Sequence, residues 1–172
     1  MNTVNKIFLI IFASLLASCS ASKELWKEDD PVRQLVVDHG QKKEKVHDIT
    51  LVQIKTPEAK QFGCYYMHFL TDREVTIKEA REMIVDIAES FVAYANESCL
   101  IEDPVTVQHL IINLGFVEDD GSFYEPPSLA YAYLKYGTVH YCYFDNDFGK
   151  FIDQDDVIEP YHIAKNIVTS TR

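Results

Sequence analysis

The sequence TIKEAREMIVDIAESFVAYAN, residues 76–96, decides the fold more than any other part of the chain. Thr76 and Glu79 have the spacing of a capping box, in which each residue satisfies a backbone N–H of the other at the start of a helix. Apolar residues then recur every three or four positions, at Ile77, Ala80, Ile84, Ile87, Phe91 and Tyr94. This spacing predicts an amphipathic helix from about 77 to 96, about 30 Å long at about 1.5 Å per residue, with one side in a core.

Strand patterns lie on both sides of this helix. Residues 49–55 and 62–70 precede it, and residues 105–117 follow it with alternating apolar positions at Leu110, Ile112, Leu114 and Phe116. Residues 129–136 and 139–144 form a predicted hairpin around Gly137. Short flanking helices are predicted from Asp30 and Pro31 to Gly40, with a charged connector at 41–45, and from Pro160 onward. We therefore expect an α+β fold: an antiparallel sheet of about five strands with the long helix packed on it.

The predicted hairpin concentrates the tyrosines of the chain. A Gly137-Thr138 turn would place Tyr136 opposite Val139. That register puts one set of side chains on one face, namely Ala132, Leu134, Val139, Tyr141 and Tyr143, and a second set on the other, namely Tyr131, Tyr133, His140 and Cys142. A slip of one residue would reverse the faces of one strand.

The acidic segment 145–156 is a candidate calcium loop that does not fit the calcium-binding pattern. An EF-hand loop starting at Asp145 needs Gly at its sixth position and Glu at its twelfth, where this chain has Lys150 and Asp156. A solvated loop with a short strand at 150–152 is the favoured interpretation. No sequence motif for a hydrolase, a phosphate-binding loop, a metal site or a cofactor is present.

Composition restricts the classes of partner. The formal net charge is -11, which argues against binding to nucleic acid or to anionic lipid. After Cys19 the chain has three further cysteines, Cys64, Cys99 and Cys142, and the sequence does not determine whether two of them pair.

The first residues match a known export signal. Lys6 precedes an apolar run at 7–16 of about ten residues, about half of what a membrane span needs. The following Leu16-Ala17-Ser18-Cys19 resembles the lipobox of bacterial lipoproteins, and this resemblance covers residues 1–19 only. It implies a signal peptide at 1–18, lipid on Cys19, and a tether at 19–29 before a single domain at 30–172. The alternative is an ordinary signal peptide cut near Ala17 or Ala21.

The resemblance also carries an expectation about location and role. Covalent lipid on Cys19 would anchor the protein in the cell envelope, and Ser20 favours the outer membrane, on its periplasmic or surface face, in a Gram-negative organism. We expect a non-catalytic interaction module whose partner is another envelope or surface protein. The predicted contact residues are Tyr131, Tyr133, Tyr136, Tyr141 and Tyr143. Cross-strand packing of these rings is the competing interpretation. An envelope enzyme or enzyme inhibitor with scattered residues, and a structural lipoprotein without a ligand, remain alternative functions.

Overall fold

The computed structural model describes residues 30–57, 64–145, 149–153 and 158–171, and it has an α+β architecture. The predicted signal peptide, Cys19 and the tether lie outside the described residues. The helices are α1 (Pro31–His47), α2 (Ile77–Glu97) and α3 (Tyr161–Ser170). The strands are β1 (Thr50–Lys55), β2 (Tyr65–Thr71), β3 (Leu110–Phe116), β4 (Tyr131–Lys135), β5 (Thr138–Asp145), β6 (Lys150–Asp153) and β7 (Glu159–Pro160).

The strands form one mixed sheet of seven strands in the order β1-β2-β3-β4-β5-β6, with β7 also paired to β5. The α+β prediction is confirmed, and a largely antiparallel sheet of about five strands agrees roughly with the structure. Two details differ: β2 and β3 are parallel, and the sheet has more strands than expected. The parallel pair follows from α2, which carries the chain from the end of β2 back to the start of β3. Parallel neighbours need a crossover of this kind, whereas a tight turn joins only antiparallel strands.

Helix α2 forms as predicted and organises the core. Thr76 and Glu79 make the capping box, with the Glu79 carboxylate accepting from the Thr76 N–H at 2.9 Å. Its apolar side packs with α1, α3 and one face of the sheet in a single hydrophobic core. The largest fully buried side chains of that core include Phe69, Phe91, Phe116, Met67, Tyr141, Ile84 and Leu110. The three helices of the described residues therefore lie on the same side of the sheet.

Helix α1 is longer than predicted. It runs through Gly40 and through the expected connector at 41–45, and ends at His47 before Asp48, whose φ is 54°. Gly40 lies inside the helix because this turn packs closely on β1: a Cβ on Gly40 would lie 2.5 Å from Cδ2 of Leu51. The glycine was interpreted as a helix stop, and its actual role is to allow this close approach.

The β4–β5 hairpin keeps the predicted faces and changes the turn. Lys135 pairs with Thr138, so the turn is Tyr136-Gly137, with φ values of 50° and 75° that fit a type I′ turn. The prediction paired Tyr136 with Val139, whereas Leu134 pairs with Val139. A displacement of two residues preserves the faces, because side chains alternate with a period of two.

Two other predicted elements begin or pack differently. The strand expected over 105–117 starts only at Leu110, because Val107–His109 forms a turn of 3-10 helix. In α3 the predicted apolar stripe is half exposed: Ala164 and Val168 are buried, and Ile163 and Ile167 are exposed.

Candidate functional site

The five predicted contact tyrosines lie in three different places. Tyr141 is 0% exposed and belongs to the core on the helix side, so the interpretation of this residue as part of a contact surface is wrong. Tyr143 is half-buried against the same core. Tyr136 is 60% exposed at the hairpin turn. Only Tyr131 and Tyr133 are half-buried on the side of the sheet opposite the helices. These two mark the candidate site.

The register of the sheet shows which side chains join them. We call this side the outer face, and define it by the positions of β1–β5 that alternate with the core positions. One row runs straight across five strands: Gln53 pairs with His68, His68 with Asn113, Asn113 with Tyr133, and Tyr133 with His140. A second row contains Lys55, Tyr66, Ile111, Lys135 and Thr138. A third contains Thr50, Leu70, Gly115, Tyr131 and Cys142.

The rings of the outer face are packed against one another. Tyr133 and His140 stack in parallel with ring centroids 4.4 Å apart, and Tyr131 contacts His68 at 5.9 Å and Phe151 at 5.1 Å. Because cross-strand neighbours stack side by side, the body of each ring contacts its neighbours, and Nε2 of His68 and Nδ1 of His140 are buried. The outer face is therefore an ordered array of aromatic rings that carries phenol hydroxyls and the Asn113 amide beside apolar residues such as Leu70 and Ile111.

Asn113 connects two of the tyrosines. Its side-chain amide donates to the Tyr66 hydroxyl at 2.9 Å and lies close enough to Tyr131 to influence the pKa of that phenol. Burial raises the pKa of both phenols, although the contact with Asn113 opposes this effect. Both hydroxyls therefore stay protonated at physiological pH and remain hydrogen-bond donors.

His68 is a neutral group beneath this network. Burial lowers the pKa of its imidazole to about 4. Its Nε2 is buried and makes no hydrogen bond to the described part of the chain. The ring contacts Tyr66 and Tyr131 edge-on. At neutral pH His68 acts as a packed, uncharged ring and contributes no positive charge to the site.

The charges of the outer face differ from those of the whole chain. The chain has 27 acidic residues, yet none of the outer-face positions of β1–β5 is Asp or Glu. Two lysines are present: Lys55 Nζ lies 5.5 Å from the centroid of the Tyr66 ring, and Lys135 Nζ lies 5.2 Å from that of Tyr136. The outer-face charges of β1–β5 at this end of the sheet are therefore positive.

Acidic residues gather at the opposite end of the strands. There the pKa of Tyr124 is raised by burial and by the charges of Glu118, Glu74, Asp119 and Asp72. An anion approaching the outer face therefore meets attraction at one end and repulsion at the other.

A second polar cluster lies on the helix side, between α2, β5 and β7. Glu159 accepts from Arg81 Nε and from the Tyr141 hydroxyl, both at 2.7 Å. Burial raises the pKa of Tyr141, and the bond to Glu159 adds to the effect. The Arg81 and Glu159 side chains are 14% and 12% exposed. Arg81 and Tyr141 both donate to the Glu159 carboxylate, so the charges of this half-buried group are paired, as a structural ion pair requires.

A groove of about 620 Å³ lies beside the start of α2 and does not resemble a hydrolytic site. Its lining includes Glu74, Ser128 and Tyr143, and Ser128 donates a hydrogen bond to Glu74. No histidine or cysteine is among the residues lining this groove. A hydroxyl with only a carboxylate beside it lacks the imidazole base that activates serine in the usual triads.

Cysteine and metal chemistry adds no further site. None of Cys64, Cys99 and Cys142 forms a disulfide bond, and Cys99 is exposed. Within the described ranges, no three His, Cys, Asp or Glu side chains come together in a way that could hold a metal ion.

Comparisons of the chain with protein-family models, with curated proteins and with solved structures gave no match. Over the part of the chain that the structure describes, none of the helices has both the length and the apolar character needed to cross a membrane.

Sequence reasoning found part of the outer face and missed the rest. Tyr131, Tyr133 and His140 follow from hairpin alternation, which is a local signal. Tyr66, Asn113 and Lys55 come from strands far away in the sequence, and only the parallel pairing of β2 with β3 brings them to the same surface. The available signal was β2 itself, which is apolar on both sides, as is usual for a central strand with a parallel neighbour.

Proposed function

We propose that this chain is a lipid-anchored protein of the bacterial cell envelope, at the outer membrane where one exists, and that it acts by binding rather than by catalysis. The anchor is supported by the sequence Leu16-Ala17-Ser18-Cys19. The binding role is supported by the outer face, where polar ring tips and two lysines form a surface on the side away from the helices. Another envelope or surface component is the expected partner.

Metabolic labelling with an alkyne analogue of palmitate tests the anchor. The wild-type protein takes up label, and Cys19→Ser does not, because the acyl chains require the Cys19 sulfur. Cys99→Ser is the matched control, since it removes an exposed cysteine of the folded domain and leaves the lipobox intact. Equal labelling of wild type and Cys19→Ser would show that the lipid is elsewhere or that there is none.

Photo-crosslinking in living cells tests the binding surface. A benzoylphenylalanine introduced in place of Tyr133 reports contacts of the outer face. The same probe in place of Val46, which is 64% exposed on α1, reports contacts of the helix side. We expect a reproducible adduct from Tyr133 and none from Val46. An adduct from Val46 alone would move the binding surface to the helices.

A double variant separates binding from folding. Replacing Tyr131 and Tyr133 together by Ala lowers partner capture by an amine-reactive crosslinker, while circular dichroism still reports a folded domain. If the double Ala variant melts, the double Phe variant takes its place, because it keeps both rings and removes only the hydroxyls. Undiminished capture by a folded variant would contradict the proposal.

A further inference from the structure

The outer face contains a group of hydrogen-bond donors whose acceptor is not part of the described chain. Asn113 Nδ2 donates to the Tyr66 hydroxyl oxygen at 2.9 Å, so this bond leaves the hydroxyl proton of Tyr66 for another acceptor. No described group of the protein accepts this proton. The same amide also opposes the rise in the pKa of the Tyr131 phenol, so it lies near that hydroxyl as well. Because the pKa of both phenols is raised by burial, each O–H is a donor and not a phenolate acceptor.

Two lysines flank these donors in the neighbouring row. Lys55 pairs with Tyr66, Tyr66 with Ile111, and Ile111 with Lys135. Three strand spacings therefore separate Lys55 and Lys135, which is about 14 Å at about 4.8 Å per strand. No carboxylate occupies the outer-face positions of β1–β5, and the acidic residue that the sheet register adds beyond them is Asp153 of β6, opposite Cys142, in a different row from the two lysines. An extended anion with at least two negative groups would therefore match the two lysines of this surface.

The mixture of polar groups and rings on this surface favours a glycan over a protein as the ligand. A protein interface is built around a desolvated apolar centre. Most of the large apolar residues exposed in the described ranges lie elsewhere, including Val46 on α1 and Ile163 and Ile167 on α3. The outer face combines phenol hydroxyls and the Asn113 amide with apolar side chains, namely Leu70, Ile111 and Phe144. Phe151 of β6 pairs with Phe144 and is 41% exposed. Hydroxyl groups and ring oxygens of a sugar match such donors and acceptors, and Phe151 can cover its apolar side.

We infer that the outer face binds an acidic polysaccharide, with its hydroxyls at Tyr66 and Asn113 and its carboxylates at Lys55 and Lys135. This inference rests on the proposed binding role of the same face and adds the chemical class of the ligand.

Calorimetric titration of the detergent-solubilised full-length protein with a hexamer of galacturonate tests the inference. The methyl-esterified hexamer keeps the sugar rings and removes the charge, and a glutamate hexamer keeps the charge and removes the sugar. We expect binding of the galacturonate hexamer, with much weaker binding of both analogues. Equal binding of the ester would overturn the role of the lysines. Equal binding of the glutamate hexamer would overturn the choice of a glycan over an acidic peptide.

Three variants locate the site. Replacing Lys55 and Lys135 together by Gln is expected to weaken binding of the galacturonate hexamer about tenfold, in the range for two partly solvated ion pairs. Tyr66→Phe removes one donor and is expected to weaken it about fivefold. Lys45→Gln is the matched control, because Lys45 is exposed on α1.

The outcomes separate this inference from the proposed function. Unchanged binding in Tyr66→Phe and in the double lysine variant would place the sugar elsewhere and overturn the inference. An absence of binding to every hexamer, together with a reproducible adduct from the Tyr133 photo-probe, would overturn the ligand class and leave the binding role intact. Absence of both signals would overturn both proposals.

Discussion

Acid should destabilise the domain through His39, which is buried between α1 and α2. His39 is 3% exposed and contacts the rings of Phe91 and Tyr94, with centroids 5.3 Å and 6.1 Å away. Burial, together with the nearby charge of Lys43, lowers the pKa of its imidazole from 6.5 to about 4. The folded state therefore holds His39 neutral under conditions in which the unfolded chain protonates it.

The sign and size of the effect follow from this difference. Because the pKa is lower in the folded state, the stabilisation is fully present above pH 6.5 and is lost as the pH falls from there toward 4. Each unit of difference between the folded and unfolded pKa corresponds to about 1.4 kcal/mol, so the neutral His39 contributes about 3 kcal/mol to the free energy of unfolding. Most of this contribution is lost between about pH 7 and about pH 4.5. His68 has a pKa lowered in the same direction by burial and adds a similar loss of its own.

Urea unfolding of wild type and His39→Phe at about pH 7 and about pH 4.5 measures this contribution. Phenylalanine keeps a ring at the site and has no proton to gain, and the effects of His68 and of the carboxylates cancel in the comparison. Wild type should lose about 2 to 3 kcal/mol more than His39→Phe between the two pH values. His162→Gln, which replaces an exposed histidine on α3, is the control. Equal losses in wild type and His39→Phe would refute the reasoning.

Two substitutions test the packing arguments in the same unfolding assay. Gly40→Ala places a Cβ 2.5 Å from Leu51 Cδ2, and we expect net destabilisation, because overpacking costs about 1–3 kcal/mol and the gain in helix propensity is about 1 kcal/mol. A more stable Gly40→Ala protein would contradict the close approach of α1 and β1. Tyr141→Phe removes a donor to Glu159 and should lower the free energy of unfolding by about 1–2 kcal/mol. An unchanged stability would mean that Arg81 alone satisfies Glu159.

The parts of the fold that the sequence predicts correctly depend on local signals. Helix α2 has its cap and its apolar period within the same 21 residues, and both are read without knowing what the helix contacts. The faces of the β4–β5 hairpin follow from alternation over neighbouring residues, and they survive an error of two residues in the turn. Local periodicity is sufficient wherever the periodic side is also the buried side.

The errors have non-local causes. Gly40 has the position of a helix stop in the sequence, and only the approach of Leu51 from β1 explains why the helix continues through it. The parallel alignment of β2 and β3 is likewise a property of two distant strands and the helix between them. Tyr141 has the composition of a contact residue but is buried by packing with α2 and α3, and its hydroxyl is satisfied by Glu159.

The same register that builds the core also builds the outer face. In β3, Leu110, Ile112 and Leu114 point to the helices, so Asn113 between them must point away. A slip of one residue would bury the Asn113 amide and expose Ile112, and an unsatisfied buried amide alone costs about 1–3 kcal/mol. Core packing therefore fixes the position of Asn113 between Tyr66 and Tyr131, whatever the outer face binds. It follows that conservative substitutions on the outer face change its chemistry without moving the strands, so they separate binding from folding.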